Sequence, residues 1–200
     1  MVGPRRKFQR PLGERRYKKL FVIAVEGAVT EPQYFDLFHD QQSVIHVECL
    51  KGKSASSPPQ VLSRMEARIH ERGLAPSDEA WLVVDKDNWT DEQLLLLHQW
   101  TQVRKGRGLA LSNPKFEYWL LLHFEDGSGV RTSQECSDRL ARATVVSGKS
   151  INPRQFTSER IQQAVQYAKQ RDQPPCEDWP RTIGTTVYRL VEAMLKVRSA

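Results

Sequence analysis

Residues 20–27 read LFVIAVEG, and this stretch decides the fold class. The run is apolar from Leu20 to Val25 and ends at Glu26 and Gly27, which is typical of a strand buried on both faces of a sheet. Helical patterns follow it and alternate with further strand patterns at residues 44–50, 81–84 and 109–111. Strands that alternate with helices predict an α/β fold, with a mainly parallel sheet flanked by helices.

The helices between these strands have predictable starts. A polar residue that can cap a helix is followed by a favourable partner in three places: Thr30 with Gln33, Thr90 with Gln93, and Asn113 with Pro114. Beyond Glu125 the pattern becomes helical, with apolar stripes at residues 161–168 and 187–195. We therefore predict a helical C-terminal part over about residues 135–200, packed by these stripes.

The charge of the chain is concentrated at its N-terminus. The chain has 200 residues and a net charge of +6, yet residues 1–20 hold eight Lys and Arg side chains against Glu14 alone. We predict a basic and flexible arm at residues 1–19, followed by a near-neutral domain at residues 20–200. Such an arm can bind nucleic acid through its cations, or it can be a solvated leader. The candidate contacts are Arg5, Arg6, Lys7, Arg15 and Arg16.

Composition excludes several classes of protein. Hydrophobic residues make up 39% of the chain, including five Trp and seven Phe, which is too apolar for an intrinsically disordered protein. The longest apolar runs are far shorter than the ~20 residues of a membrane span. Three widely separated cysteines, Cys49, Cys136 and Cys176, favour a reduced cytoplasmic compartment and no zinc site.

Polar residues follow three of the predicted strands. Glu26 ends the first, Asp85 and Asp87 end the strand at residues 81–84, and Asn113 follows the strand at residues 109–111. The carboxyl ends of parallel strands meet at one edge, where α/β folds place their sites. Carboxylates gathered there repel one another, and a hard cation such as Mg²⁺ or Mn²⁺ relieves the repulsion. The alternative is that these acids cap helices or pair with Lys86 and nearby arginines.

Three segments of the chain resemble RloB-like proteins. They are residues 25–35 (VEGAVTEPQYF), residues 83–87 (VVDKD) and residues 112–124 (SNPKFEYWLLLHF), within a resemblance that covers roughly residues 15–197. The first two segments are also similar to the Toprim metal site. The resemblance implies a Toprim-like domain and a part in bacterial antiviral defence of the abortive-infection type, often encoded beside an ATPase.

The resemblance also implies roles for individual residues. Glu26 would be the acid/base or metal-bridging carboxylate, and Asp85 and Asp87 would bind Mg²⁺. Asn113 and Glu117 match the third segment and would have second-metal or supporting roles, on the expectation that one helical turn separates them. Weaker candidates are a metal role for Glu31, a catalytic role for His123 against an ordinary core histidine, and a phosphate contact for Lys86.

The leading hypothesis is a Mg²⁺-dependent nuclease or phosphotransfer enzyme that acts on nucleic acid. A non-catalytic subunit that binds nucleic acid or a partner ATPase explains the basic arm equally well. A haloacid-dehalogenase-like phosphatase also has two aspartates after an apolar strand, but in that class they follow the first strand, which here ends at Glu26.

Overall fold

A five-stranded sheet organises the chain. The structure is a computed structural model that describes residues 19–39, 45–52, 57–86, 89–144 and 150–198. The strands are β1 (Lys19–Val25), β2 (Ile45–Leu50), β3 (Glu79–Asp85), β4 (Arg107–Asn113) and β5 (Gly184–Thr185). Their order across the sheet is β2-β1-β3-β4-β5. The first four strands are parallel, and β5 is antiparallel to β4.

Helices cover both faces of this sheet. They are α1 (Thr30–Asp36), α2 (Pro58–Arg72), α3 (Asp91–Gln102), α4 (Phe116–Leu121), α5 (Ser133–Ala143), α6 (Ser158–Arg171) and α7 (Val187–Arg198). A short 3₁₀ turn at Pro153–Gln155 precedes α6. The predicted mainly parallel sheet with flanking helices, and the predicted C-terminal helix, are confirmed.

The two faces of the sheet carry separate apolar cores, because successive side chains of a strand point to opposite sides. Phe21, Ile23 and Val25 of β1 pack with α1, α4, α6 and α7. Val22 and Ala24 of the same strand pack with α2 and α3. The continuous apolar run of β1 is thus explained by burial on both faces, and the strand ends at Val25, directly before Glu26.

The start of α1 differs from the prediction. Thr90 does cap α3 with Gln93 in a capping box, as predicted. At α1, however, Val29 is the capping position and no side chain caps the helix. Gln33 instead accepts a hydrogen bond from the backbone N–H of Ile151 at 2.9 Å. A contact with a residue distant in the chain has replaced the local one.

The region after β4 also differs. Asn113 is the last residue of β4 rather than a helix cap, and Lys115 holds the capping position of α4. The helix α5 falls within the predicted helical part, but the two-residue strand β5 interrupts that part and was not predicted. Asn113 and Glu117 are therefore not on one helix, and the expected one-turn separation is wrong.

Candidate acidic site at the carboxyl edge of the sheet

Two predicted acids from different strands meet at the carboxyl edge of the sheet. Val25 pairs with Val83, and Asp85 pairs with Ser112, so the ends of β1, β3 and β4 are nearly level. The backbone N–H of Asp85 donates to Oε1 of Glu26 over 3.4 Å. The register of the sheet therefore brings the side chain of Glu26 to the backbone of a residue 59 positions away in the chain.

Asp85 lies at the centre of a cluster of acids. Its Oδ1 accepts a hydrogen bond of 2.8 Å from the backbone N–H of Phe116 at the start of α4. The pKa of Asp85 is nevertheless raised well above its ordinary value, first by burial and then by the charges of Glu26, Glu31 and Glu117. Like charges favour the protonated acid or a bound cation. We call Asp85 and these three glutamates the acidic cluster.

Glu31 is held against the loop that follows β1. It is only 8% exposed, and its Oε1 accepts the backbone N–H of Gly27 at 2.9 Å. A Cβ atom added to Gly27 would lie 2.3 Å from Oε2 of Glu31, which is far inside contact distance. A larger residue here would displace the carboxylate of Glu31 from the Gly27 N–H. The Gly27 carbonyl accepts the N–H of Gly52, which joins the loops after β1 and β2.

Arg64 of α2 is a site residue that the sequence analysis missed. Its Nη2 donates to the carbonyl oxygen of Val25 at 2.6 Å, directly before Glu26. Burial lowers the pKa of Arg64, and the charge of Glu26 opposes this decrease. A signal was present in the sequence, because Arg64 lies beside Val61 and Met65 on the buried stripe of α2.

Lys86 follows Asp85 but binds the next helix. Its Nζ donates to Oδ1 of Asp91 at 2.6 Å and to the carbonyl of Trp89 at 3.3 Å. This ion pair fixes the start of α3 beside the acidic cluster. It also holds the positive charge of Lys86 in the first turn of α3.

Asn113 and Glu117 have different surroundings. Nδ2 of Asn113 donates to the carbonyl of Pro180 at 3.1 Å, so its amide binds the loop before β5. Glu117 lies in α4 and raises the pKa of Asp85 by its charge. Only Glu117 of this pair contributes to the acidic cluster.

His123 lies in the aromatic core. It is 2% exposed, and its Nδ1 lies 3.0 Å from the carbonyl oxygen of Trp119. A carbonyl oxygen only accepts, so Nδ1 carries the hydrogen and Nε2 accepts from the hydroxyl of Tyr34 at 3.2 Å. Burial lowers the pKa of His123 to about 3, so the ring is neutral at physiological pH. These are the contacts of a core histidine.

Some predicted site residues lie outside the described residues. They are Asp87 and the cations of the basic arm, namely Arg5, Arg6, Lys7, Arg15 and Arg16. Within the residues that the structure does describe, no three acidic, histidine or cysteine side chains are grouped as metal ligands. The acids around Asp85 share an electrostatic environment without forming a set of three ligands among themselves.

No helix in the described part of the chain has the length and apolar content of a membrane span. Comparison with curated proteins gave no match, and comparison with solved structures gave none. The family model described as RloB-like protein matches residues 21–194, which include every strand end of the acidic site. A match over most of the chain establishes the family, and the protein belongs to the RloB-like proteins.

Proposed function

We propose that this protein is a metal-dependent nuclease or related phosphotransfer enzyme that acts on nucleic acid. One observation carries the proposal. Asp85 ends β3 against Glu26, and its pKa is raised by burial and by three neighbouring carboxylates. Groups perturbed in this way at the carboxyl edge of an α/β sheet mark candidate catalytic sites.

The donor chemistry of the cluster fits a hard divalent cation. Its side chains offer only carboxylate oxygens, which suit Mg²⁺ or Mn²⁺ rather than zinc. Asp85 would hold the ion, with Asp87 as the proposed further ligand, and Glu26 beside them is left free of the ion to accept a proton. When bound, such an ion polarises a phosphoryl oxygen and neutralises charge on the phosphate.

The residues of the chain then have separate tasks in phosphodiester hydrolysis. A water oxygen bonds to phosphorus while the bond from phosphorus to the leaving oxygen breaks, the water loses a proton, and the leaving oxygen takes up a proton from solvent to become a hydroxyl group. Glu26 is the proposed acceptor of that proton. Arg64 holds the Val25 carbonyl at 2.6 Å and so fixes the backbone that presents Glu26.

The biological setting is part of the same proposal. It is antiviral defence of the abortive-infection type, in which an ATPase encoded nearby controls the enzyme. Cells that carry the intact gene set should restrict phage, and cells that carry Asp85→Asn should not. Equal restriction by both strains, measured as plaque counts, contradicts a catalytic role for Asp85 in defence.

The direct test is cleavage by the purified full chain. Labelled single-stranded and duplex DNA and RNA are incubated with Mg²⁺ or Mn²⁺, and a chelator is added to a parallel set. We expect metal-dependent cleavage that Asp85→Asn lowers at least about 100-fold, as expected when a catalytic group is removed. Asp138→Asn, an exposed acid of α5, is the matched control and should cleave normally.

Two outcomes contradict the proposal. Undiminished cleavage by Asp85→Asn shows that the catalytic site is elsewhere. Cleavage that persists in chelator shows that the reaction does not require a metal ion. Calorimetry adds a readout that does not depend on activity, because the wild type should bind Mg²⁺ at millimolar concentration and Asp85→Asn should bind it more weakly. A wild type that binds no Mg²⁺ and cleaves nothing fits the non-catalytic adaptor instead.

A further inference from the structure

A polar groove runs along the loop between α6 and β5. It consists of two adjoining depressions of about 440 Å³ and about 200 Å³, both lined by Arg171, Thr182 and Ile183. Asp126 lines the larger depression, and Arg181 lines the smaller one. Neither arginine was among the predicted site residues.

Sheet register places this groove beside the acidic cluster. Thr185 pairs with Ser112, and Ser112 pairs with Asp85. The groove loop thus ends two strands away from Asp85, which is a distance of ~10 Å at the usual strand spacing. The amide of Asn113 binds the carbonyl of Pro180 and fixes the loop at the carboxyl edge.

Electrostatics give independent support for this position. The pKa of Asp91 is lowered chiefly by its hydrogen bond with Lys86 and further by the charge of Arg181. Arg181 therefore lies within electrostatic reach of the ion pair that directly follows Asp85. The Arg181 end of the groove therefore lies toward the carboxyl edge of the sheet, where the acidic cluster is.

Both groove arginines are held in place and still reach solvent. Arg181 stacks 4.2 Å from the ring centroid of Trp179 and pairs with Asp178 at 2.7 Å, with its side chain 54% exposed. Nε of Arg171 donates to the carbonyl of Asp126 at 2.6 Å, and its side chain is 30% exposed. A guanidinium group has five N–H donors, so each arginine retains donors for a ligand.

We propose that this groove binds the phosphate backbone of the nucleic-acid substrate to one side of the cleavage site. Arg171 and Arg181 would each bind a phosphate, because a planar guanidinium group matches the oxygens of a phosphate. The hydroxyl of Thr182 and the amide of Gln170 are neutral donors suited to the same backbone. The inference rests on the proposed function and adds where the substrate lies.

A substitution at Asp126 should change the affinity for nucleic acid in the direction opposite to the arginine substitutions. Its Oδ2 lies 3.9 Å from Nη2 of Arg171, so this carboxylate competes with phosphate for the same guanidinium group. Asp126→Asn removes the competing charge and leaves the backbone contact of Arg171 in place. The variant should bind nucleic acid more tightly, which a disrupted fold would not do.

The test measures binding apart from cleavage. Fluorescence anisotropy follows a labelled single strand of about 12 nucleotides as it binds the full chain carrying Asp85→Asn, in metal-free buffer at several salt concentrations. Adding Arg171→Gln and Arg181→Gln should raise Kd about tenfold and reduce the slope of log K against log salt by about 1.4. The control is Arg72→Gln. Arg72 is an ion-paired arginine at the C-terminal end of α2, and its side chain is 62% exposed.

The possible outcomes are distinct. A higher Kd and a shallower salt slope for the groove variant, together with tighter binding by Asp126→Asn, support the proposed groove. If the wild type cleaves nothing in that case, only the proposed nuclease activity is contradicted. Binding by the groove variant that equals binding by Arg72→Gln overturns the groove and leaves the nuclease. A chain that binds no nucleic acid at any salt concentration overturns the groove, and it overturns both proposals if the wild type also cleaves nothing with Mg²⁺.

Discussion

Two aspartates of this protein lie among opposite kinds of neighbour. Asp85 lies among three glutamates, and its pKa is raised. Asp172, at the end of α6, accepts hydrogen bonds of 2.8 Å from the N–H of Cys176, the hydroxyl of Tyr188 and Nη2 of Arg189. Burial alone would raise the pKa of Asp172, but these three donors lower it below its ordinary value. We call these four residues the Asp172 clamp.

The comparison separates a carboxylate that stabilises the fold from one that does not. In the Asp172 clamp every hydrogen bond favours the charged form of Asp172. The charge therefore increases the free energy of unfolding. In the acidic cluster the neighbours disfavour the charged form of Asp85. Proteins keep such unfavourable groups where function requires them, and removing them commonly increases stability. Replacing the aspartate by asparagine should therefore lower the free energy of unfolding at Asp172 and raise it at Asp85.

The largest expected effect is on the Asp172 clamp. Asp172→Asn should lower the free energy of unfolding by about 2–3 kcal/mol, because it leaves Arg189 and Tyr188 without a charged acceptor in a buried site. Urea denaturation of the full chain measures this change. The control is Asp138→Asn on the exposed surface of α5, which should stay within about 0.5 kcal/mol of the wild type. A loss no larger than that of the control contradicts the clamp.

The stabilisation by Asp172 should depend on pH in one direction. The folded-state pKa of Asp172 lies below its ordinary value, so the contribution is present above the ordinary pKa of about 4 and is lost as pH falls through the folded-state pKa. The difference in unfolding free energy between wild type and Asp172→Asn should thus be constant from about pH 5 to 8 and shrink below about pH 4. Denaturation at several pH values measures it. A difference that persists unchanged into strong acid would show that the charge of Asp172 is not what stabilises the clamp.

Much of the acidic cluster could be predicted because it depends on local pattern. Apolar runs locate the ends of β1 and β3, and parallel strands end at one edge, so Glu26 was expected near Asp85. The sequence does not contain the contacts that depend on distant segments. Asn113 binds a carbonyl 67 residues away, and this contact replaces the helix cap that its neighbour Pro114 suggested.

Short elements were missed for a related reason. β5 has two residues, which is too few to show a period of two. Its place in the sheet follows from pairing with β4, and that pairing positions the groove loop. Arg181 lies in a segment with no periodic pattern, so only the folded chain reveals its proximity to Lys86 and Asp91.

A moderate effect is expected at the close contact inside the acidic cluster. Gly27→Ala should destabilise the protein by about 1–2 kcal/mol, because the new Cβ would displace the Glu31 carboxylate and break its hydrogen bond with the Gly27 N–H. In a Glu31→Ala background the same change should have little effect, since the obstacle is gone. Urea denaturation of the four proteins in this double-mutant cycle gives the coupling energy. Equal losses in both backgrounds contradict the idea that Glu31 requires the glycine.

The smallest expected effect is the most decisive for the comparison. Asp85→Asn should raise the free energy of unfolding by about 1 kcal/mol in metal-free buffer, because it removes a buried carboxyl group whose charged form burial and three neighbouring carboxylates disfavour. An asparagine can keep the acceptor for the Phe116 N–H, so packing need not change. Millimolar Mg²⁺ should then stabilise the wild type and not the variant, since a ligand that binds only the folded state increases stability. A loss of stability in metal-free buffer would place Asp85 with Asp172 as a structural carboxylate, and the like charges around it would then have no functional explanation.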